Sequence, residues 1–193
     1  MFDFDDTLAK TEECTLVRLK ENDRIIDHLS GQYEHDDYEL DETEYYFDYS
    51  EFETVSSSAK PIIEVIELLK KFLNEKGTKV IVLTARQVAA RDSIKGFLDR
   101  QGIDMNKVSV FCSGGSRVKS KYLARLIQRF NIRETVTVFE DSEENIADIL
   151  RLEYDMPDLT FNAVNVIDPL KMETDLEEIK KHRYPKGEYG TEK

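Results

Sequence analysis

The run Lys79-Val-Ile-Val-Leu-Thr84 is apolar from Val80 to Leu83 without a polar break. A strand with no polar face is buried on both faces, so it needs neighbouring strands beside it and helices above and below. The surrounding pattern supplies them. Ile62, Val65, Ile66, Leu69, Phe72 and Leu73 recur at helical spacing before it, with Pro61 expected in the first turn and Gly77 as the stop. Helical signals return over Val88 to Gln101, followed by Gly102. A strand over Val108–Cys112, a Ser113–Ser116 loop and a helix from Val118 to Phe130 come next. A strand over Thr135–Phe139, a helix over Glu143–Leu152, a strand near Thr160–Val166 and a short helix over Thr174–Lys181 complete the series. Strands alternating with helices imply βαβ units, right-handed crossovers and a parallel sheet.

The start, MFDFDDTL, reads as one more strand ending in carboxylates. Only Met1 and Phe2 stand before the first aspartate, so this strand is expected to be unusually short or to begin upstream of Met1. Residues 1–8 and 60–181 form the expected core, with residues 9–59 inserted after the first strand and a mobile tail over residues 182–193. The insert is acidic and carries Tyr33, Tyr38, Tyr45, Tyr46, Phe47, Tyr49 and Phe52. Thr15, Val17 and Leu19 alternate with polar residues, and Glu21-Asn22-Asp23 is a turn signal before Arg24–Leu29. A β-hairpin is expected there, with a helix over Leu16–Leu29 as the rival; Asp41 is expected to cap a short helix over Glu42–Phe47.

Charge narrows the partners. A formal net charge of −13 disfavours loose attachment to nucleic acid or to an anionic membrane, without excluding a nucleic-acid end as substrate. No apolar run reaches membrane-spanning length. Cys14 and Cys112 lack the spacing of a disulfide framework or zinc site, and a reducing cytoplasm is the expected compartment.

In a parallel sheet the carboxyl ends of the strands share one edge, where ligands bind. Those ends carry Asp3, Asp5 and Asp6, then Thr84 and Arg86, then a loop leading to Lys119 and Lys121, then Glu140 and Asp141. Carboxylates crowded together repel one another unless a cation intervenes, and magnesium suits oxygen donors. Asp3 suits a nucleophile toward phosphorus, and Asp5 a general acid and base. Thr84 can donate to a phosphoryl oxygen, and a lysine can neutralise phosphate and Asp3. Lys119 shares a helix face with Leu123, Leu126, Ile127 and Phe130, so it is preferred over Lys121. Asp141 is the expected direct ligand opposite Asp3, joined by the Asp5 main-chain carbonyl, with Glu140 behind it or on a metal-bound water. Arg86 is expected to contact the leaving group. The Ser113–Ser116 loop is a candidate cradle for phosphate through its backbone N–H groups.

FDFDDTL, VIVLTAR, the lysine of the later helix and VFEDSEEN together resemble the four motifs of the haloacid dehalogenase (HAD) superfamily. The layout, including YFDYSEF, is similar to small HAD-like hydrolases of tailed phages. The resemblance implies an α/β, Rossmann-like three-layer sandwich with a central parallel sheet of about five strands and a small cap or flap insert after the first. It implies magnesium-dependent phosphomonoester hydrolysis through an aspartyl-phosphate on Asp3. Asp3, Asp5, Glu140 and Asp141 would serve the metal, Asp3, Asp5, Thr84 and Lys119 the chemistry, and Arg86 and Thr7 the substrate. An Asp at position 5 matches the phosphatases of that superfamily, whereas Glu140 stands where the commoner acidic pair begins with Asp. The expected substrate is a phosphorylated small molecule or nucleotide, in a host cytoplasm if the gene is phage-borne. A polynucleotide 3′-phosphatase is the alternative. A phospho-acceptor signalling module fits less well, since there the acidic pair precedes the phosphorylated Asp.

Overall fold

The computed structural model describes residues 1–30, 41 and 43–183. After Asp5 the chain turns back at once. Asp6 adopts a left-handed backbone (φ +50°), a conformation Asp tolerates better than most side chains. Its N–H donates to the Ala9 carbonyl at 2.8 Å, while the N–H groups of Leu8 and Ala9 donate to the Phe4 carbonyl. Strand β1 (Ala9–Lys10) then pairs antiparallel with a strand fifty residues on, β5 (Lys60–Pro61), in the register Ala9↔Pro61 and Lys10↔Lys60. This stem closes the insert.

Within the insert, β2 (Cys14–Leu19), β3 (Ile25–Ser30) and β4 (Tyr45–Asp48) form an antiparallel sheet ordered β3-β2-β4. The expected hairpin is therefore β2–β3, with Asp23 at φ +60° in its turn. The expected helix reaching Phe47 is corrected: Tyr45–Asp48 is a strand paired with Leu16–Leu19. Tyr45 is buried and Tyr46 is 39% exposed, a period of two that serves a sheet. Asp41 accepts from the Thr43 N–H at 2.9 Å, capping a turn instead of a helix. Glu42, Tyr33 and Tyr38 lie outside the described residues.

The rest alternates as expected: α1 (Ile63–Leu73), β6 (Val80–Thr84), α2 (Arg91–Arg100), β7 (Val108–Cys112), α3 (Lys119–Arg129), β8 (Thr135–Glu140), α4 (Glu143–Leu150), α5 (Leu152–Asp155), β9 (Thr160–Asn165) and α6 (Pro169–Arg183). Pro61 belongs to the stem and not to the first turn of α1, because Ile62 before that helix is still extended. Helix α6 starts earlier than expected. Asp168 accepts from the N–H groups of Leu170 and Lys171, and Pro169 stands at its first position. The expected mobile tail falls mainly on residues 184–193, which lie outside the described residues.

Strands β6 and β7 pair in parallel, and so do β8 and β9. Phe2 makes parallel bridges to Val82 and to Phe139, between the two pairs. Its N–H donates to the Ile81 carbonyl and its carbonyl accepts from Leu83, while Asp3 N–H donates to the Phe139 carbonyl, each at 2.9 Å. The fold is thus mixed α/β, with parallel pairs in the body and an antiparallel sheet in the insert. Val80 and Val82 pack in one apolar cluster with Val65, Ile66 and Leu69 of α1 and Ile94, Phe97 and Leu98 of α2. Ile81 and Leu83 pack in the other with Leu123, Leu126 and Ile127 of α3 and Ile149 of α4. Alternate β6 side chains thus feed two opposite clusters, which is why its sequence has no polar face. The Phe2 ring stacks on Phe139 at 4.4 Å, and burying a phenylalanine contributes about 1.5–3 kcal/mol. That burial anchors the opening segment and carries Asp3 to the edge where β6 and β8 end.

Candidate active site

Asp3 emerges beside the ends of β6 and β8, and α3 delivers Lys119 to it. The Lys119 ammonium lies 2.7 Å from Asp3 Oδ1 and 2.6 Å from Glu140 Oε2. All three side chains are sealed, at 1%, 2% and 0% exposure for Lys119, Asp3 and Glu140. The Asp3 contact is an ion pair without the geometry of a hydrogen bond, so Asp3 Oδ1 is a buried acceptor lacking a donor. The other oxygen of Glu140 accepts from Asn145 Nδ2 at 3.2 Å and from the Ser142 N–H at 3.4 Å. Glu140 is therefore held on both sides. Asp141 accepts from the Thr7 hydroxyl at 3.3 Å.

Oxygens of Asp3, Glu140 and Asp141 lie within 4.8 Å of one another. Three carboxylates against one ammonium leave the cluster short of positive charge. Burial, then the Glu140 charge, push the Asp3 carboxyl well above the usual range, against the opposing pull of Lys119. Burial and Glu140 likewise raise Asp141 to about 6. Burial alone would lower the lysine, but Asp3 and Glu140 outweigh it and keep the ammonium charged.

Asp5 lies in a different setting. Arg86 Nε donates to Asp5 Oδ2 at 3.0 Å, and Nη2 donates to Oδ1 at 2.8 Å. The Thr11 hydroxyl also donates to Oδ1, at 2.8 Å. Arg86 Nη2 reaches Glu13 Oε2 at 3.3 Å, and Nη1 donates to the carbonyls of Phe52 and Thr54. The guanidinium lies against the rings of Phe4 and Phe52, 5.6 and 5.2 Å from their centroids. A guanidinium has five N–H donors; four are engaged in hydrogen bonds, and the fifth faces Glu13 as an ion pair only. Arg86, expected to meet the substrate, is 3% exposed and its donors are spent on the protein.

Thr84 is fully buried, and its hydroxyl oxygen accepts from the Arg86 N–H at 3.2 Å, which leaves its own proton to donate. The Ser113–Ser116 loop is less free than expected of a phosphate cradle: the Ser113 N–H donates to the Thr84 carbonyl and the Gly114 N–H to the Arg86 carbonyl. Lys121 is exposed, as its helix face predicts. Thr7, expected near substrate, is fully buried and directs its hydroxyl at Asp141.

Glu13 is not apparent from sequence. A glutamate beside Glu12 in a polar stretch has no periodicity to mark it. Asn145 does carry a signal, since it stands one turn beyond Glu140 at the start of α4, where it faces back toward the strand end.

No known family model matches this chain, and no curated protein matches it. Among solved structures it is similar to the crystal structure of the Legionella pneumophila effector Ceg4 with an N-terminal TEV protease cleavage sequence. The identity is 16% and the TM-score 0.44, over 69% of this chain and 62% of that chain. The match thus spans less than two thirds of the effector chain. Among the described residues no helix is long and apolar enough to cross a membrane.

Proposed function

We propose that this chain is a magnesium-dependent phosphomonoester hydrolase of the HAD type. On this reading Phe2 and its neighbours count as the central strand of a five-stranded parallel sheet, between β6 and β8. One observation carries the reading: a buried lysine within 2.7 Å of Asp3 and 2.6 Å of Glu140, with Asp141 in the same cluster.

A divalent cation fits this donor set. The oxygens are hard, the cluster lacks positive charge, and Asp3 Oδ1 is a buried acceptor without a donor. Asp3 and Asp141 would hold the ion, with Glu140 kept behind them by Lys119 and Asn145. When bound, it supplies positive charge beside the phosphoryl oxygens and the nucleophile.

The chain's own residues do the rest. An Asp3 oxygen attacks phosphorus and forms a P–O bond. The ester P–O bond breaks, its electron pair stays on the leaving oxygen, and Asp5 gives that oxygen a proton. Water then attacks the aspartyl-phosphate, Asp5 takes its proton back, and inorganic phosphate leaves. Lys119 and the Thr84 hydroxyl stabilise charge on the phosphoryl oxygens. Lys119 has three N–H donors and gives one to Glu140 as a hydrogen bond, so donors remain for phosphate.

The test is hydrolysis of p-nitrophenyl phosphate with and without magnesium, by the wild type and by Asp3→Asn. Wild-type turnover that needs the metal is expected, with a loss of at least about a thousandfold in the variant. Equal turnover by Asp3→Asn defeats the nucleophile assignment.

A further inference from the structure

Glu13 belongs to no motif, yet it sits where the insert meets the site. It is 9% exposed, and one of its oxygens accepts from the Ser56 N–H at 2.7 Å. The other lies 3.3 Å from Arg86 Nη2, the same nitrogen that donates to Asp5 at 2.8 Å. The guanidinium is thus shared between a carboxylate at the reaction centre and a carboxylate of the insert. Its remaining nitrogen is committed to the carbonyls of Phe52 and Thr54, also in the insert. A guanidinium is rigid and planar, so whatever holds its far edge, here an ion pair to Glu13 and two carbonyls, also bears on its near edge.

We propose that Glu13 is a positioning residue for the proton transfer: through Arg86 it sets the orientation of Asp5, so the insert takes part in the chemistry. The proposal rests on the phosphatase reading above. The surroundings explain the need. Asp5 is 20% exposed at its side chain and stands just before the turn at Asp6. Thr11 and Arg86 supply the hydrogen bonds to its carboxylate. Neither Thr11 nor Arg86 alone dictates which way the free edge of Oδ2 points. Arg86 does so only as firmly as it is itself held, and Glu13 is the insert's charged group on its far edge.

A general acid matters most when the leaving oxygen is a poor leaving group and least when it leaves readily. The experiment therefore compares two substrates, p-nitrophenyl phosphate and a simple alkyl phosphate, in the full chain with magnesium. Wild type, Glu13→Gln and Glu13→Asp are measured. Glu13→Gln is expected to lower kcat on the alkyl phosphate about tenfold more than on the aryl phosphate, with KM little changed. Glu13→Asp, which keeps the charge, is expected to recover part of that loss. Equal losses on both substrates, or no loss on either, overturn the proposal, because a role confined to folding does not distinguish leaving groups. A second measurement is independent of turnover: Glu13→Gln should shift the NMR signals of the Arg86 Nε–H and the Asp5 carboxyl carbon. Unchanged signals overturn the positional claim. A wild type inactive on both substrates removes the function reading itself, and the positional claim then stands or falls on the NMR arm.

Discussion

Two buried cations serve this site, and they are used differently. Lys119 is a compact charge lodged between carboxylates that are 2% and 0% exposed. Arg86 is a flat fork joined to Asp5, which is 20% exposed at its side chain, and to Glu13, at 6%. The ammonium keeps a donor in hand. The guanidinium turns all three of its nitrogens toward protein partners. The choice of residue type follows from the role each cation fills. On the proposed function, a point charge with a spare N–H suits a centre that receives a phosphoryl group, and a planar fork held on three sides suits a place where geometry must not change. The contrast also reassigns Arg86, from a group waiting for substrate to a fixture holding the one beside it.

The sharpest way to break the comparison is to remove each cation in turn. Lys119→Met leaves Asp3 and Glu140 sealed together without a counter-charge. A loss of about 3–5 kcal/mol is expected, a drop in Tm of roughly 10 °C by thermal melting. Arg86→Met should cost less, about 2–3 kcal/mol, because Asp5 can recover hydration at its exposed edge. A larger loss at Arg86 than at Lys119 would invert the assignment of the two centres.

A pH experiment sharpens the Lys119 side. Asp141 titrates near 6 when folded, above the ordinary aspartate value of 3.8. The folded state then binds more protons than the unfolded state between those values, so stability falls as pH rises through that window. In chelator, lowering the pH from 7 to 5.5 should recover about 1 kcal/mol attributable to this group. Denaturant melts of wild type and Asp141→Asn measure it, and the variant should lack that share of the slope. An identical slope in both proteins contradicts the expectation. The smallest effect belongs to Lys121→Ala, whose side chain is in water: stability should stay within about 0.5 kcal/mol and turnover should be unchanged.

What is legible in the chain depends on burial. Strand β6 can be read because helices bury it from both sides, which leaves an uninterrupted apolar run. Lys119 can be distinguished from Lys121 because they fall on opposite faces of α3, one toward the sheet and one toward water. Strand β4 is hidden because helix and strand compete over four residues, and pairing with β2, a tertiary event, decides the matter. Arg86 misleads for a related reason. Its partners at Glu13, Phe52 and Thr54 are far away in sequence, and a cation next to a strand end looks free until those partners are in place.

The two-residue stem of β1 and β5 has a bearing on engineering. It ties off the chain on either side of the insert, so a different lid could be transplanted there without rerouting the body. A chimaera made that way should keep Asp3, Lys119 and the acidic strand end intact. It would still leave Arg86, and with it Asp5, less firmly held unless the graft brought its own anion and its own pair of carbonyls for Arg86. Exchange of lids on this scaffold is thus limited by three atoms of the graft more than by its size.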